Sequence, residues 1–262
     1  MSFNRAAEYY DATRALPPDA MADLLDVLVP ELAGRQPCLE IGVGTGRIAL
    51  PLQDQGIAMA GLDIAEAMLH RLIGNAGGMA RFPLVLADAT RLPLAGRSFG
   101  SVLAVHVLHL IPGWQDAVDE AARVLAPGGV LIASFPGGRA VPRQPRPGAS
   151  APWAAVLQQA AQRHGITRID RGARHPTDVA GYLEGRARAR QLPGVRVTEL
   201  RTLGQTLRHL EGQVYSWTWP YPREQVLGLG TEIRTWAAQE GLSLTEQHPV
   251  ESTLDWWAFE LA

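Results

Sequence analysis

The chain has 262 residues, 47% hydrophobic and 19% charged, enough for a substantial core in one large α/β domain or one domain with a subdomain. A formal net charge of -2 gives no general attraction to nucleic acid or to an anionic membrane surface. All 24 basic residues are arginine, which removes any lysine Schiff base, and one cysteine, Cys38, cannot close an internal disulfide, which suits a reducing cytoplasm.

In chain order, residues 5–16 read as a short helix or ordered arm that ends at Pro17-Pro18. A second helix starts near Asp19 and places Met21, Leu24, Leu25, Leu28 and Leu32 on one face. Gly34 closes it. The stretch Cys38-Leu39-Glu40-Ile41-Gly42-Val43-Gly44-Thr45-Gly46-Arg47-Ile48-Ala49-Leu50 then reads as a buried strand, three alternating glycines and a helix over Gly46–Gln55. Glycine reaches backbone angles closed to other residues and lets a ligand lie on the main chain. The following helix aims free N–H groups at that ligand, so this is a nucleotide-type site. Gly44-Thr45-Gly46-Arg47-Ile48-Ala49 also satisfies the dinucleotide fingerprint, so the glycines alone leave a nicotinamide-dependent oxidoreductase open.

Further strands are expected at Met59–Asp63, Phe82–Ala87, Phe99–Val105 and Val130–Phe135, with helices from Glu66 and over Asp116–Leu125. Strands alternating with helices predict βαβ units and a parallel sheet. Residues 136–152 read as a Pro-, Gly- and Arg-rich loop, and Trp153–His164 as a helix. Another helix opens at Pro176 and runs towards Arg190; Val195–Thr202 alternates as a sixth strand and Thr253–Leu261 as a last one. Residues 1–262 are thus expected to form one domain, with a cofactor-binding core at 5–135 and substrate-side insertions at 136–190 and 203–250. No apolar run follows Met1-Ser2-Phe3-Asn4-Arg5, and no run is long enough for a membrane span, so a cytoplasmic location is expected.

Ligands of open α/β sheets bind beyond the carboxyl ends of the strands. Glu40 with its glycines, Asp63, Asp88 and Val105-His106 occupy those ends here. In the order Glu40, Asp63, Asp88-Ala89, Pro127-Gly128-Gly129, with the E-x-G-x-G-x-G string beginning at Glu40, the chain resembles the class I S-adenosylmethionine-dependent methyltransferases. The segments Leu92-Pro93-Leu94, Phe99-Gly100-Ser101-Val102, Leu108-His109-Leu110 and Arg123–Gly129 are similar to small-molecule members, including quinone methyltransferases. One departure is Gly100, where the family usually has aspartate. The resemblance covers residues 5–135 and matches the remainder loosely.

The resemblance implies an α/β fold: a seven-stranded, mostly parallel Rossmann-like sheet with an antiparallel last strand and added helical cap or insertions. It implies S-adenosylmethionine as cofactor, S-adenosylhomocysteine as product and a small-molecule acceptor methylated at O, N or C. Gly42, Gly44 and Gly46 then give backbone access, and Glu40 orients the methionine portion. Asp63 binds the ribose hydroxyls beside Ile64 and Met68. Asp88 and Ala89 hold adenine, Val105 offers backbone contact, and Tyr10 and Arg14 close over the cofactor. His106 and His109 are the candidate general bases by position, with backbone-bonded packing histidines as the alternative.

Other features leave their alternatives open. Asp63 and Asp88 also suit cap or turn roles. Tyr215, Trp217, Trp219 and Tyr221 line an apolar acceptor pocket or, equally, pack in the core or a lid, whereas Trp256 and Trp257 read as core. Arg171, Arg174, Arg186, Arg188 and Arg190 read as a solvated helix face, ahead of a site for an acidic acceptor or RNA phosphates. No metal-ligand spacing and no G-x-S-x-G elbow appears in the sequence. A non-catalytic module that binds S-adenosylmethionine remains the third reading, and the oligomeric state is not written in the chain.

Overall fold

Four buried residues, Cys38–Ile41, form strand β1 in the interior of a seven-stranded sheet. The structure, a computed structural model, describes residues 4, 7, 10–135, 151–167 and 171–262. Strands β2 (Met59–Asp63) and β4 (Phe99–Val105) flank β1, both parallel to it. Outside them lie β3 (Leu84–Leu86) and β5 (Leu125–Ser134), also parallel. Strand β9 (Trp256–Leu261) pairs antiparallel with β5 and with the edge strand β6 (Ala187–Gln191). The resulting order is β3-β2-β1-β4-β5-β9-β6. It reverses direction between β1 and β4, and such a switch point opens a crevice at the strands' carboxyl ends.

Helix α1 (Tyr10–Arg14) precedes α2 (Pro18–Ala33), which buries Ala20, Leu24, Leu28 and Leu32 at helical spacing. Each of those leucines contributes roughly 1.5–3 kcal/mol by leaving water. Helices α3 (Ala49–Asp54), α4 (Glu66–Asn75) and α5 (Trp114–Val124) follow β1, β2 and β4. Helix α3 is shorter than the expected Gly46–Gln55: the Leu50 N–H already donates to Gly46 O at 2.9 Å, but Pro51 has no N–H to continue the ladder, and the regular helix starts at Ala49. The last strand is Trp256–Leu261, within the expected Thr253–Leu261.

Two expectations for the C-terminal half are corrected. Helix α7 (Pro176–Tyr182) stops well before Arg190, and Ala187–Gln191 is the sheet's edge strand β6. Alternating Ala and Arg have fair helix propensity, but pairing with β9 and the ion pairs of Arg190 with Glu31 and Glu260 outweigh it. Charged side chains suit an exposed sheet edge. The alternating segment Val195–Arg201 is indeed a strand, β7, but it pairs with β8 (His248–Leu254) in a separate two-stranded sheet.

Gly100 has a local cause. A Cβ there would lie 2.5 Å from the Arg35 carbonyl oxygen and 2.9 Å from its Cα. The Gly100 N–H donates to Pro37 O at 3.0 Å, so the chain entering β1 is pressed against β4 at this point. An aspartate has no room.

The chain divides into two compact units: 1–142 with 170–196 and 253–262, and 143–169 with 197–252. The second contains α6 (Ala154–Arg163), α8 (Leu203–Glu211) and α9 (Arg223–Gln239), whose core includes Ala160, Leu207, Leu210, Val226, Leu229 and Ile233. Within it Tyr215 and Trp217 stack with centroids 6.0 Å apart, and Trp219 Nε1 donates to Gln213 O at 2.7 Å. The expected loop at 136–152 lies outside the described residues up to 150, as do parts of the 5–16 arm. Among the described residues no helix is long and apolar enough to cross a membrane.

Candidate active site

Strand β1 ends in Glu40-Ile41 and turns through glycines with φ of 69°, 55° and 82° at Gly42, Gly44 and Gly46. Their reasons differ. A Cβ at Gly42 would come within 2.5 Å of Val107 Cγ2, and one at Gly46 within 2.8 Å of Leu72 Cγ. At Gly44 it would meet only the Gly42 carbonyl, at 4.0 Å. Gly42 and Gly46 are therefore demanded by close protein packing, and Gly44 presents the open side of the loop.

Glu40 is 2% exposed, and its Oε2 has no hydrogen-bond partner among the described residues. Burial pushes its carboxyl up to about 8; the Arg47 charge opposes this, the Asp63 carboxylate adds to it, and a hydrogen bond from the Ala49 backbone opposes it. A buried carboxyl oxygen left unpaired is costly unless a cation or donor arrives. Tyr10, Glu40, Gly42, Gly44, Arg47 and Val105, with Val43, Thr45 and Ile48, line one small, partly open pocket.

Asp63 braces this loop from β2. Its Oδ2 accepts the Gly44 N–H at 2.9 Å, and its Oδ1 accepts the Ala65 N–H at 2.8 Å. Burial raises its carboxyl, and hydrogen bonds from Ala65, Gly44 and Ile64 oppose that rise. Ile64, the next residue, is 63% exposed although strongly apolar, whereas Met68 is buried at 2%. At the end of β3, exposed Asp88 accepts from Thr90 N at 2.9 Å and from Thr90 Oγ1 at 2.8 Å, closing its own turn, with Ala89 buried beside it.

Past β4, His106 takes a φ of 49°, held by its N–H to Ser134 Oγ at 3.1 Å and to Ser134 O at 3.3 Å. Burial, then the charges of Arg47, His109 and Arg14, bring its imidazole down to about 3, so it is neutral at pH 7. His109 lies half-buried in the 3-10 turn Leu108–Leu110.

The structure thus gathers Tyr10, Glu40, Gly42, Gly44 and Val105 around one pocket and ties Asp63 to it through Gly44. Arg14 joins through its carbonyl, which accepts from Arg47 Nη1 at 2.9 Å. Gly46, Ile64, Met68, Asp88, Ala89, His106 and His109 do not line that pocket. Sequence reasoning missed Asp11, Thr45, Arg47, Arg71 and Asn75. Asp11 accepts from Thr45 Oγ1 at 2.5 Å, Asn75 Nδ2 at 2.9 Å and Arg71 Nε at 3.1 Å. The only available signal was an acid beside Tyr10 on the arm. The arginine cluster is largely committed elsewhere: Arg186 pairs with Asp119 at 2.9 Å and lies over the Tyr182 ring, and Arg190 bridges Glu31 and Glu260.

Residues 39–133 match a family model described as a methyltransferase domain. The chain is 32% identical over 132 residues to a malonyl-[acyl-carrier protein] O-methyltransferase of Geobacter sulfurreducens, covering 50% of this chain and 49% of that protein. It is 34% identical over 105 residues to a sterol 4-C-methyltransferase of Caenorhabditis elegans, covering 39% of this chain and 31% of that one. The chain therefore spans about half or less of the length of these curated relatives. A crystal structure titled a putative methyltransferase of Bacillus halodurans superposes over 92% of this chain and 97% of that chain, with a TM-score of 0.56 at 17% identity, which shows a shared fold.

Proposed function

We propose, on the premise of the match of residues 39–133 to a methyltransferase domain, that the chain is a class I S-adenosylmethionine-dependent enzyme that moves a methyl group from that cofactor to O, N or C of a small molecule. The observation that carries this reading is the buried, unpartnered Oε2 of Glu40 in a pocket shared with Gly44. A cationic ligand satisfies that oxygen, and S-adenosylmethionine carries positive charge at its ammonium and sulfonium groups. A nicotinamide dinucleotide would bring an anionic pyrophosphate to the same glycines, which gives the Glu40 carboxyl no reason to ionise, whereas a cationic ligand draws it to the carboxylate. The Glu40 carboxyl, which a bound cation ionises and a bound anion does not, separates two cofactors that the glycine spacing leaves equal.

When bound, the cofactor supplies a methyl group on a positively charged sulfur that leaves as a neutral thioether. The residues of the chain bind, align and exclude water. Glu40 faces the cationic methionine end, and the open side of Gly44 receives the ligand along the main chain. Asp63 retains lone pairs for the ribose hydroxyls after bonding Gly44 and Ala65, since each carboxylate oxygen has two. Asp88 and Ala89 flank adenine, Ile64 and Met68 give apolar neighbours, and Val105 gives backbone contact. Tyr10 and Arg14 cover the site from the arm.

Alignment of this kind supplies roughly 7–11 kcal/mol in favourable cases. His106, neutral at pH 7, accepts the acceptor's proton at an imidazole nitrogen; His109 is the second candidate. The burial that keeps His106 neutral also makes it a weak base, so proton removal contributes less than alignment. Lone, buried Cys38 supports a cytoplasmic setting.

Methyl-labelled S-adenosylmethionine offered with a panel of carboxylate, phenol, amine and activated-carbon acceptors tests the reading. Label in one acceptor class with matching S-adenosylhomocysteine supports it. Cofactor binding with no turnover on any acceptor assigns the chain to the non-catalytic reading instead.

A further inference from the structure

We propose that Asp11 is a positioning residue that clasps the N-terminal arm onto the glycine loop, and that opening of this clasp sets the rate of cofactor exchange. The proposal rests on the reading of the glycine rim as the S-adenosylmethionine site. Helix α1 has five residues and stops before Pro17, far below the roughly 12–15 residues an isolated helix needs. Its order must come from tertiary bonds. One carboxylate supplies three of them: Asp11 accepts from Thr45 Oγ1 in the glycine loop and from Arg71 Nε and Asn75 Nδ2 on α4. Asn75 Nδ2 also donates to Thr45 O at 3.1 Å, so the loop, the arm and α4 meet at one point.

Two further ties of the described arm residues end on the same two elements. Arg47 of the loop donates to Arg14 O at 2.9 Å, and the Ala67 N–H at the start of α4 donates to Asn4 Oδ1 at 3.1 Å. Tyr10, adjacent to Asp11 in sequence, lines the pocket with Glu40 and Gly44. Losing the Asp11 contacts therefore frees the wall of the pocket as well as the arm. Burial raises the Asp11 carboxyl, but the hydrogen bonds from Thr45, Asn75 and Arg71 outweigh it and leave it below the usual range. The clasp is made by the ionised form. With a side chain 30% exposed, water competes for the same donors, which suits a contact that opens and closes.

The test uses the full chain and S-adenosylhomocysteine as probe. Dissociation rate is read by competition after rapid mixing, for the unsubstituted chain and for Asp11→Ala, Asn75→Ala and Arg71→Gln. Dissociation roughly tenfold faster is expected in Asp11→Ala, with smaller increases in the other two. Amide exchange over residues 10–14 should also quicken without ligand, while exchange in β1 and β4 stays unchanged. Asn75 and Arg71 are exposed on α4, so their variants read the clasp even where Asp11→Ala folds poorly. Unchanged dissociation rates overturn the proposal, as does a loosened arm with an unaltered ligand rate. Failure of the unsubstituted chain to bind S-adenosylhomocysteine overturns the underlying reading, and the gate with it.

Discussion

The Gly44 N–H donates to Asp63 Oδ2 at 2.9 Å, joining the end of β2 to the open point of the loop that follows β1. The same carboxylate accepts the Ala65 N–H and starts the turn into α4. Two strand ends are thus held in register by one buried side chain before any ligand is present. The rim is preorganised, which would spare a ligand bound there the cost of ordering it.

Asp63→Ala removes the acceptor for two backbone donors in a buried place. Stability should fall by about 2 kcal/mol or more, and S-adenosylhomocysteine affinity by roughly tenfold or more. Asp63→Asn keeps one acceptor and should lose less of each. Denaturant titration and calorimetry on the two variants check this; unchanged affinity in Asp63→Ala would remove Asp63 from the site.

Glu40 makes stability depend on pH. Its carboxyl lies at 4.5 in a model peptide and about 8 in the fold, so between those values the folded chain keeps a proton that the unfolded chain has lost. The stabilisation is complete below pH 4.5 and disappears as pH rises through about 8. His106 acts with the opposite sign from about 3 to 6.5, where stability rises with pH, so the Glu40 effect is clearest between pH 6.5 and 8. Glu40→Gln should flatten the fall in that window. A cationic ligand favours the carboxylate, so cofactor binding at pH 7 should release a proton, seen as binding heats that change with the buffer's ionisation enthalpy. Equal heats in all buffers would contradict the assignment.

Gly100→Ala should destabilise the fold by about 1–3 kcal/mol through overpacking, because the atoms in the way are backbone of Arg35 and cannot rotate aside. Gly100→Asp should be worse. Cofactor affinity, measured on the folded fraction, should be unaltered, since this end of β4 is opposite to the one that carries the site.

His106→Asn gives a clean test of the base. Asparagine tolerates the positive φ that His106 adopts, so the backbone should hold while the imidazole is lost. Turnover should fall by at most about a hundredfold, the lower end for general bases, with S-adenosylhomocysteine affinity unchanged. Equal losses in both would make His106 a structural residue.

The parallel half of the fold was legible because its signals are local. Short apolar strands ending in Glu40, Asp63 and Asp88, with glycine turns between strand and helix, announce themselves in any window. β6 did not. Ala187–Gln191 is a strand only because β9 offers it a partner seventy residues later, and nothing in its own composition says so. In the candidate site, Glu40 and its glycines stand out in the sequence by type and spacing, and the structure places them around one pocket. The part of Asp11 was not legible, since it depends on the arm folding back onto Thr45 and Asn75, thirty-four and sixty-four residues away. The glycines also proved unequal, and only packing against Val107 and Leu72 distinguishes Gly42 and Gly46 from Gly44.

The most direct measurement is a calorimetric titration of the full chain with S-adenosylmethionine, S-adenosylhomocysteine, NAD⁺ and NADP⁺, repeated on Glu40→Gln. The account expects micromolar binding of the two adenosyl-sulfur ligands, weakened in the variant, and no binding of either dinucleotide. Micromolar binding of either dinucleotide to the unsubstituted chain, or adenosyl-sulfur binding left unchanged in Glu40→Gln, would contradict it.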